Sequence, residues 1–261
     1  MSATLLAVVI ALVLGHTWQG VRQLRNVDWY LAWNDWLLQH RSRGAGWTFA
    51  LVLLPPLVLV ALVQAWLGLL LFGLPAFLFA LLVLLYSWGP GDLDGDVEAA
   101  IDAEDPVARE AALARLGVAA PAGVGEPAKL VDAVFQGALR RWFGVLFWFL
   151  VLGPVGALAY RLLVVSAEGP ARVFLEGREH DVAATVLRVA DWPVAQLMTL
   201  GLALAGNFDR VLATWRDWHA GGASLDPGFV LAAGRACVDA QVDEEPLEML
   251  DDGVRPTSRP A

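Results

Sequence analysis

Apolar residues run in long blocks over much of this chain, rather than at helical or alternating spacing. Residues 44–91 carry no formal charge at all. Within them, 46–67 (GWTFALVLLPPLVLVALVQAWL) and 68–88 (GLLLFGLPAFLFALLVLLYSW) each meet the length of about 20 mainly apolar residues that a spanning helix needs. Residues 142–165 (WFGVLFWFLVLGPVGALAYRLLVV) form a third block, with Arg161 near one end, where a long side chain can snorkel. A shorter N-terminal run, 3–15, lacks a basic leader and an A-x-A cleavage site, so it is expected to stay as an anchor or short span. A fifth run, 194–206, is too short to cross and suits a re-entrant or interfacial helix. The predicted fold is an all-α, polytopic membrane helical bundle with about four spans, a re-entrant or interfacial helix, and cytoplasmic helical segments.

Punctuation inside the blocks refines this. Pro55, Pro56, Pro75 and Pro154 predict kinks, tolerated in lipid where neighbours satisfy the freed carbonyls. Gly68 and Gly73 bracket the turn between the second and third spans. Arg near span ends sets orientation. Segment 16–45 holds Arg22, Arg25, Arg41 and Arg43, and segment 89–141 ends in Arg140-Arg141. Both are predicted to be cytoplasmic, with the N-terminus outside. A full crossing by 142–165 then puts 166–192 on the far side. That segment carries Arg172, Arg178 and Arg188, so the bias is uneven, and a partial dip is the alternative.

Between and after the blocks the spacing turns helical. Residues 92–117 predict a helical hairpin; Asp105-Pro106 supplies an N-cap and N1 proline for 106–116, and Gly117 stands where a C′ glycine ends a helix. Segment 118–127 is a Pro/Gly linker, and 128–141 predicts a helix running into the span at 142. Residues 207–219 place Phe208, Val211, Leu212, Trp215 and Trp218 on one stripe, the pattern of an amphipathic helix at a membrane surface or on the bundle. The chain divides into a bundle over 1–225, which includes the cytoplasmic segment 89–141, and a region 226–261 made of a C-terminal helix and an acidic, disordered tail.

Composition agrees: 57% of residues are hydrophobic and 17% charged, against about 25% charged in soluble domains. The net charge of −9, without a basic stripe, excludes nucleic acid as an expected partner and leaves the lipid bilayer as the expected one. A lone cysteine, Cys237, excludes an internal disulfide framework and a cysteine metal cluster. Phosphate-loop, dinucleotide and nucleophile-elbow motifs are absent, and no histidine pair has ligand spacing. His219 stands out among the four histidines, beside Asp217 and ahead of Gly221-Gly222.

The stretch GPGDLDGD (89–96) raises a cation question. Its glycine and acidic positions fail the calcium-loop pattern, and an aspartate at a helix start is stabilised by capping and the dipole. Asp92, Asp94 and Asp96 are thus expected at the exit of the third span, one of them capping a helix that begins near Val97. No cofactor is expected; Mg²⁺ is the one candidate cation.

Residues 130–163 (LVDAVFQGALRRWFGVLFWFLVLGPVGALAYRLL) and 186–215 (VLRVADWPVAQLMTLGLALAGNFDRVLATW), with LGHTWQ at 14–19 and DWH at 217–219, resemble the AmpE family. The likeness covers most of 1–225. It implies a bacterial inner-membrane protein tied to regulation of β-lactamase induction and to a partner in peptidoglycan recycling. That family is in turn similar to CbiB/CobD, membrane enzymes that attach an aminopropanol unit in cobalamin biosynthesis. At positions matching the enzyme motifs this chain has Asp132, Gly137, Arg140, Leu146-Phe147-Trp148, Ala159-Tyr160, Val164, Val165, Ala167 and, over 188–197, RVADWPVAQL. Most groups able to hold metal, phosphate or amine are apolar or changed in sign. The resemblance therefore implies a non-enzymatic regulator or sensor, with no catalytic residue expected. An enzyme acting on a phosphate or lipid substrate is the alternative, its pocket lined by Asp92, Asp94, Asp132, Asp191 and His219.

Overall fold

The computed structural model describes residues 6–12, 26–40, 48–69, 73–88, 93–103, 105–116, 127–175, 177–222 and 224–240. Among them every regular element is helical. A short helix α1 covers 6–12 and α2 runs Asp28–Gln39. The apolar block yields α3 (Thr48–Gly68) and α4 (Leu74–Ser87). Helix α3 continues through Pro55 and Pro56. Pro75 does not kink α4; it sits in the first turn, where no N–H partner is lost, behind Gly73 at φ 82°.

Helices α5 (Leu93–Asp102) and α6 (Pro106–Arg115) form the expected pair. The Asp105 carboxylate accepts from the Val107 N–H at 3.3 Å, the N-cap read from the sequence. Helix α5 begins at Leu93, earlier than Val97, so Asp96 falls inside its first turn rather than at a cap. Gly117, the linker 118–127, Asp92 and the tail 241–261 lie outside the described residues, as does the Asp94 side chain.

Helix α7 (Pro127–Ala138) passes through a π-helical turn, Leu139–Phe143, into α8 (Gly144–Ala167). Among the described residues, two helical runs are long and apolar enough to cross a membrane: α3 and the run over 128–167. The second is not one rod. Gly153 has φ 68° and ψ −152°, a conformation open almost only to glycine, and Pro154 follows it. The backbone reverses there. In a straight helix Gly144 and Tyr160 would stand about 24 Å apart at about 1.5 Å per residue. Instead a Cβ on Gly144 would strike the Tyr160 ring, and one on Gly156 would strike the Trp148 carbonyl. Arms 144–152 and 154–167 therefore lie side by side as a helical hairpin.

This corrects the expected single crossing by 142–165. The second arm, 154–167, is about 21 Å long, short of the roughly 30 Å of a hydrocarbon core. Its end returns to its start: Glu168 pairs with Arg140, and Ser166 bonds Tyr30 of α2 at 2.8 Å. Residues 166–175 thus emerge beside Arg140-Arg141, not on the far side. Sequence reading treated Gly-Pro as a kink because a kink and a reversal share that signature.

A short 3₁₀ helix, Pro170–Phe174, leads to α9 (Arg178–Ala205), then α10 (Phe208–His219) and α11 over 229–240. Helix α9 is a continuous 28-residue helix, far longer than the marginal run 194–206 suggested. The largest core cluster joins Phe49, Leu84, Val145, Phe149, Tyr160, Leu163 and Leu187, so α3, α4, both hairpin arms and α9 share one interior.

Candidate functional site

The hairpin places polar groups where its two arms meet α9. Asp191, halfway along α9, is fully buried. The Tyr160 hydroxyl donates to its Oδ1 at 2.5 Å, and the Arg140 Nε faces its Oδ2 at 3.4 Å. Arg140 also donates through Nη1 to Glu168. One carboxylate thereby ties the first arm, the second arm and α9 together. A buried charge is tolerable only when paired and hydrogen-bonded, and this one is both. Trp148 adds a neutral tie, donating from Nε1 to the Ala190 carbonyl at 3.2 Å.

Both arginines lie in the π turn. Adjacent side chains on a helix point about 100° apart, so the two diverge. Arg140 turns inward to Asp191. Arg141 turns to the α5–α6 pair, meeting Asp96 at 3.1 Å and the Arg115 carbonyl at 2.7 Å. Arg115 itself reaches Asp96 at 3.3 Å. The Asp96 carboxylate is therefore committed to two guanidinium groups of this chain. On the opposite side of the hairpin, Tyr30 bonds Ser166 and Asn34 donates to the Tyr30 carbonyl at 2.7 Å. Burial pushes the Tyr30 phenol up, its bond to Ser166 opposing.

Among the described side chains singled out from sequence, Asp132, Asp191 and His219 do not form one constellation. Asp132 on α7 sits 3.3 Å from Arg235 of α11 but off the hydrogen-bond direction. His219 donates from Nδ1 to the Trp215 carbonyl at 2.8 Å, and its ring lies tilted between Trp215 and Phe229. Of these three, Asp191 is the one that enters a network. Among the described residues no three His, Cys, Asp or Glu side chains group closely enough to hold a metal ion.

Sequence reading missed Arg140, Tyr160 and Glu168 as a set. A signal existed: an arginine flanking an apolar block and an aspartate inside an apolar helix each need a partner of opposite charge. Their separation in sequence hid the match. Away from this site, an apolar groove of about 300 Å³ opens between α3, α4 and the second arm, lined by Pro56, Leu59, Val60, Phe79 and Leu158. Trp29 and Tyr86 close one end, bonded to each other at 2.5 Å.

No protein-family model, curated protein or solved structure matches the chain.

Proposed function

We propose that the chain is a multi-pass inner-membrane protein of bacteria that acts as a non-enzymatic regulator or sensor, linked to β-lactamase induction and peptidoglycan recycling. The observation that carries the non-enzymatic part is the state of Asp191. It is fully buried, and Tyr160 and Arg140 occupy its two oxygens. A general base or cation ligand must reach a substrate; this carboxylate is spent on holding three helical segments together. Such a network suits an element with two discrete arrangements, which is what a sensor needs.

Membrane residence rests on α3, which is long and apolar enough to cross a bilayer, and on the apolar run 128–167. The hairpin adds to it. Its tip residues Leu150, Val151 and Leu152 are exposed, and a hairpin of that length enters a bilayer partway and returns. The link to β-lactamase rests on the AmpE resemblance alone. Deleting the gene in a host with an inducible β-lactamase should change enzyme activity after β-lactam challenge; unchanged induction there sinks the regulatory reading.

One observation favours a second reading. Arg140, Tyr160 and Asp191 occupy positions matched to CbiB/CobD motifs, and they converge. An enzyme of that type, or a drifted relative acting on a phosphate or lipid substrate, would open this network on binding. Purified protein with cobyric acid, aminopropanol, ATP and Mg²⁺ is expected to form no amide; product formation would replace the first reading by the second.

A further inference from the structure

Helix α9 has its polarity reversed relative to a helix of a soluble domain. Its buried face carries Asp191 and Thr199 beside Ala183, Leu187, Val194 and Met198. Its outer face carries Val182, Val186, Val189, Leu197, Leu200 and Leu204, all at least 40% exposed. At about 100° per residue these six fall within an arc of about 80°, one straight stripe. From 182 to 204 the stripe runs about 33 Å, matching the roughly 30 Å of a hydrocarbon core. A soluble amphipathic helix puts charge outward and leucine inward. This one does the opposite.

The one charge beside the stripe is handled as lipid demands. Arg188 folds back along the helix, its Nε toward the Ala184 carbonyl at 3.4 Å and its Nη2 toward Thr185 Oγ1 at 3.2 Å. That carries the guanidinium toward the polar start of α9, where Arg178, Glu179 and Asp181 lie, as a snorkelling arginine does. The helix also packs directly against the hairpin and α3, whose outer residues Leu59 and Leu62 are exposed and apolar as well. The stripe therefore continues the surface of the segments able to cross a membrane.

We propose that the outer stripe of α9 is a lipid-facing surface in contact with acyl chains, so that α9 joins the membrane part of the protein despite lying outside its longest apolar runs. The proposal rests on the membrane reading above and assigns it a further helix. The inward turn of Asp191 follows from it: an α9 clothed in acyl chains can keep a carboxylate only on its protein-facing side, paired with Arg140 and hydrogen-bonded by Tyr160.

The test uses the full chain carrying Cys237→Ala, in vesicles of phosphatidylethanolamine and phosphatidylglycerol, with one spin-labelled cysteine at a time. The positions are the six of the stripe, Leu59→Cys as the α3 reference and Asp209→Cys as the aqueous reference. The expected result is collision with oxygen and loss of collision with a water-soluble nickel chelate at all six positions, as at 59 and opposite to 209. Nickel access along the stripe with position 59 still protected overturns this proposal and leaves the membrane reading standing. Spin–spin broadening along the stripe overturns it in favour of a second copy of the chain. Nickel access at 59 as well, with the protein released from vesicles by carbonate, overturns the membrane reading and this proposal with it.

Discussion

Arg140 and Arg141 are neighbours in sequence with opposite fates. Arg140 faces a carboxylate with no exposure and keeps only 14% of its own side chain exposed. Arg141 is equally shielded, at 15%, but its Asp96 keeps 16% of its side chain exposed and shares itself with an Arg115 that is 58% exposed. The chemistry of the two ion pairs is the same; their surroundings are not. Removing one partner of a buried pair strands a charge, at about 3–5 kcal/mol. A pair whose carboxylate stays in touch with water is worth less, and salt screens it. The comparison teaches that the inner network fixes how the hairpin sits on α9, while the outer one steadies α5 and α6 beside it.

The largest expected effect comes from Arg140→Ala. It leaves Asp191 buried with Tyr160 as its remaining partner, and thermal unfolding in detergent should show a loss of about 3 kcal/mol or more. The double substitution Arg140→Met with Asp191→Leu separates charge from position. Replacing a buried pair by apolar groups of similar volume is often neutral, so the double variant should recover most of the stability. A double variant no better than Arg140→Ala would mean that Arg140 acts chiefly through Glu168. If the regulatory reading also holds, the recovered variant should stay folded yet lose its effect on β-lactamase induction.

Next in size is Gly156→Ala. The added methyl would meet the Trp148 backbone carbonyl and the Leu152 side chain across the hairpin. A backbone atom cannot rotate away, so the arms must part, at about 1–3 kcal/mol. Gly201→Ala is the control, since its Cβ would meet nothing within 4 Å. A helix interior prefers alanine to glycine, so this control should be neutral or stabilising by up to about 1 kcal/mol. Equal losses at the two positions would argue that 144–167 is a straight rod after all.

How far these features could be read in the sequence follows from their range. The apolar block of α3, the Asp105 cap, and the amphipathic α10 rest on contacts between residues a few positions apart, and all three were legible. In α10 the reading was partial: Val211 is buried, but Phe208 and Trp218 of the same stripe remain exposed. The hairpin reversal was illegible because Gly153-Pro154 inside an apolar run is compatible with a kinked span. The network was illegible for a different reason. Asp191 lies 51 positions from Arg140 and 31 from Tyr160, and only the reversal at Gly153 brings the latter two together. Arg140 looked like a lost motif residue of the wrong sign; its partner shows that its sign is what α9 requires.

The smallest expected effect belongs to Asp96→Asn. Its carboxylate meets Arg141 at 3.1 Å and Arg115 at 3.3 Å, in a half-buried site that opens to water on the side of Arg115. Asparagine keeps one acceptor and removes the charge, so the loss should be about 1 kcal/mol or less. Raising salt should shrink the difference between wild type and variant, because screening weakens only the charged form. The same titration applied to Arg140→Ala should leave its deficit nearly unchanged, since ions do not enter the space around Asp191. A salt-insensitive loss at Asp96 would place that carboxylate in an interior like the one around Asp191. The two carboxylates would then differ in position but not in environment, and the comparison would have to rest on geometry alone.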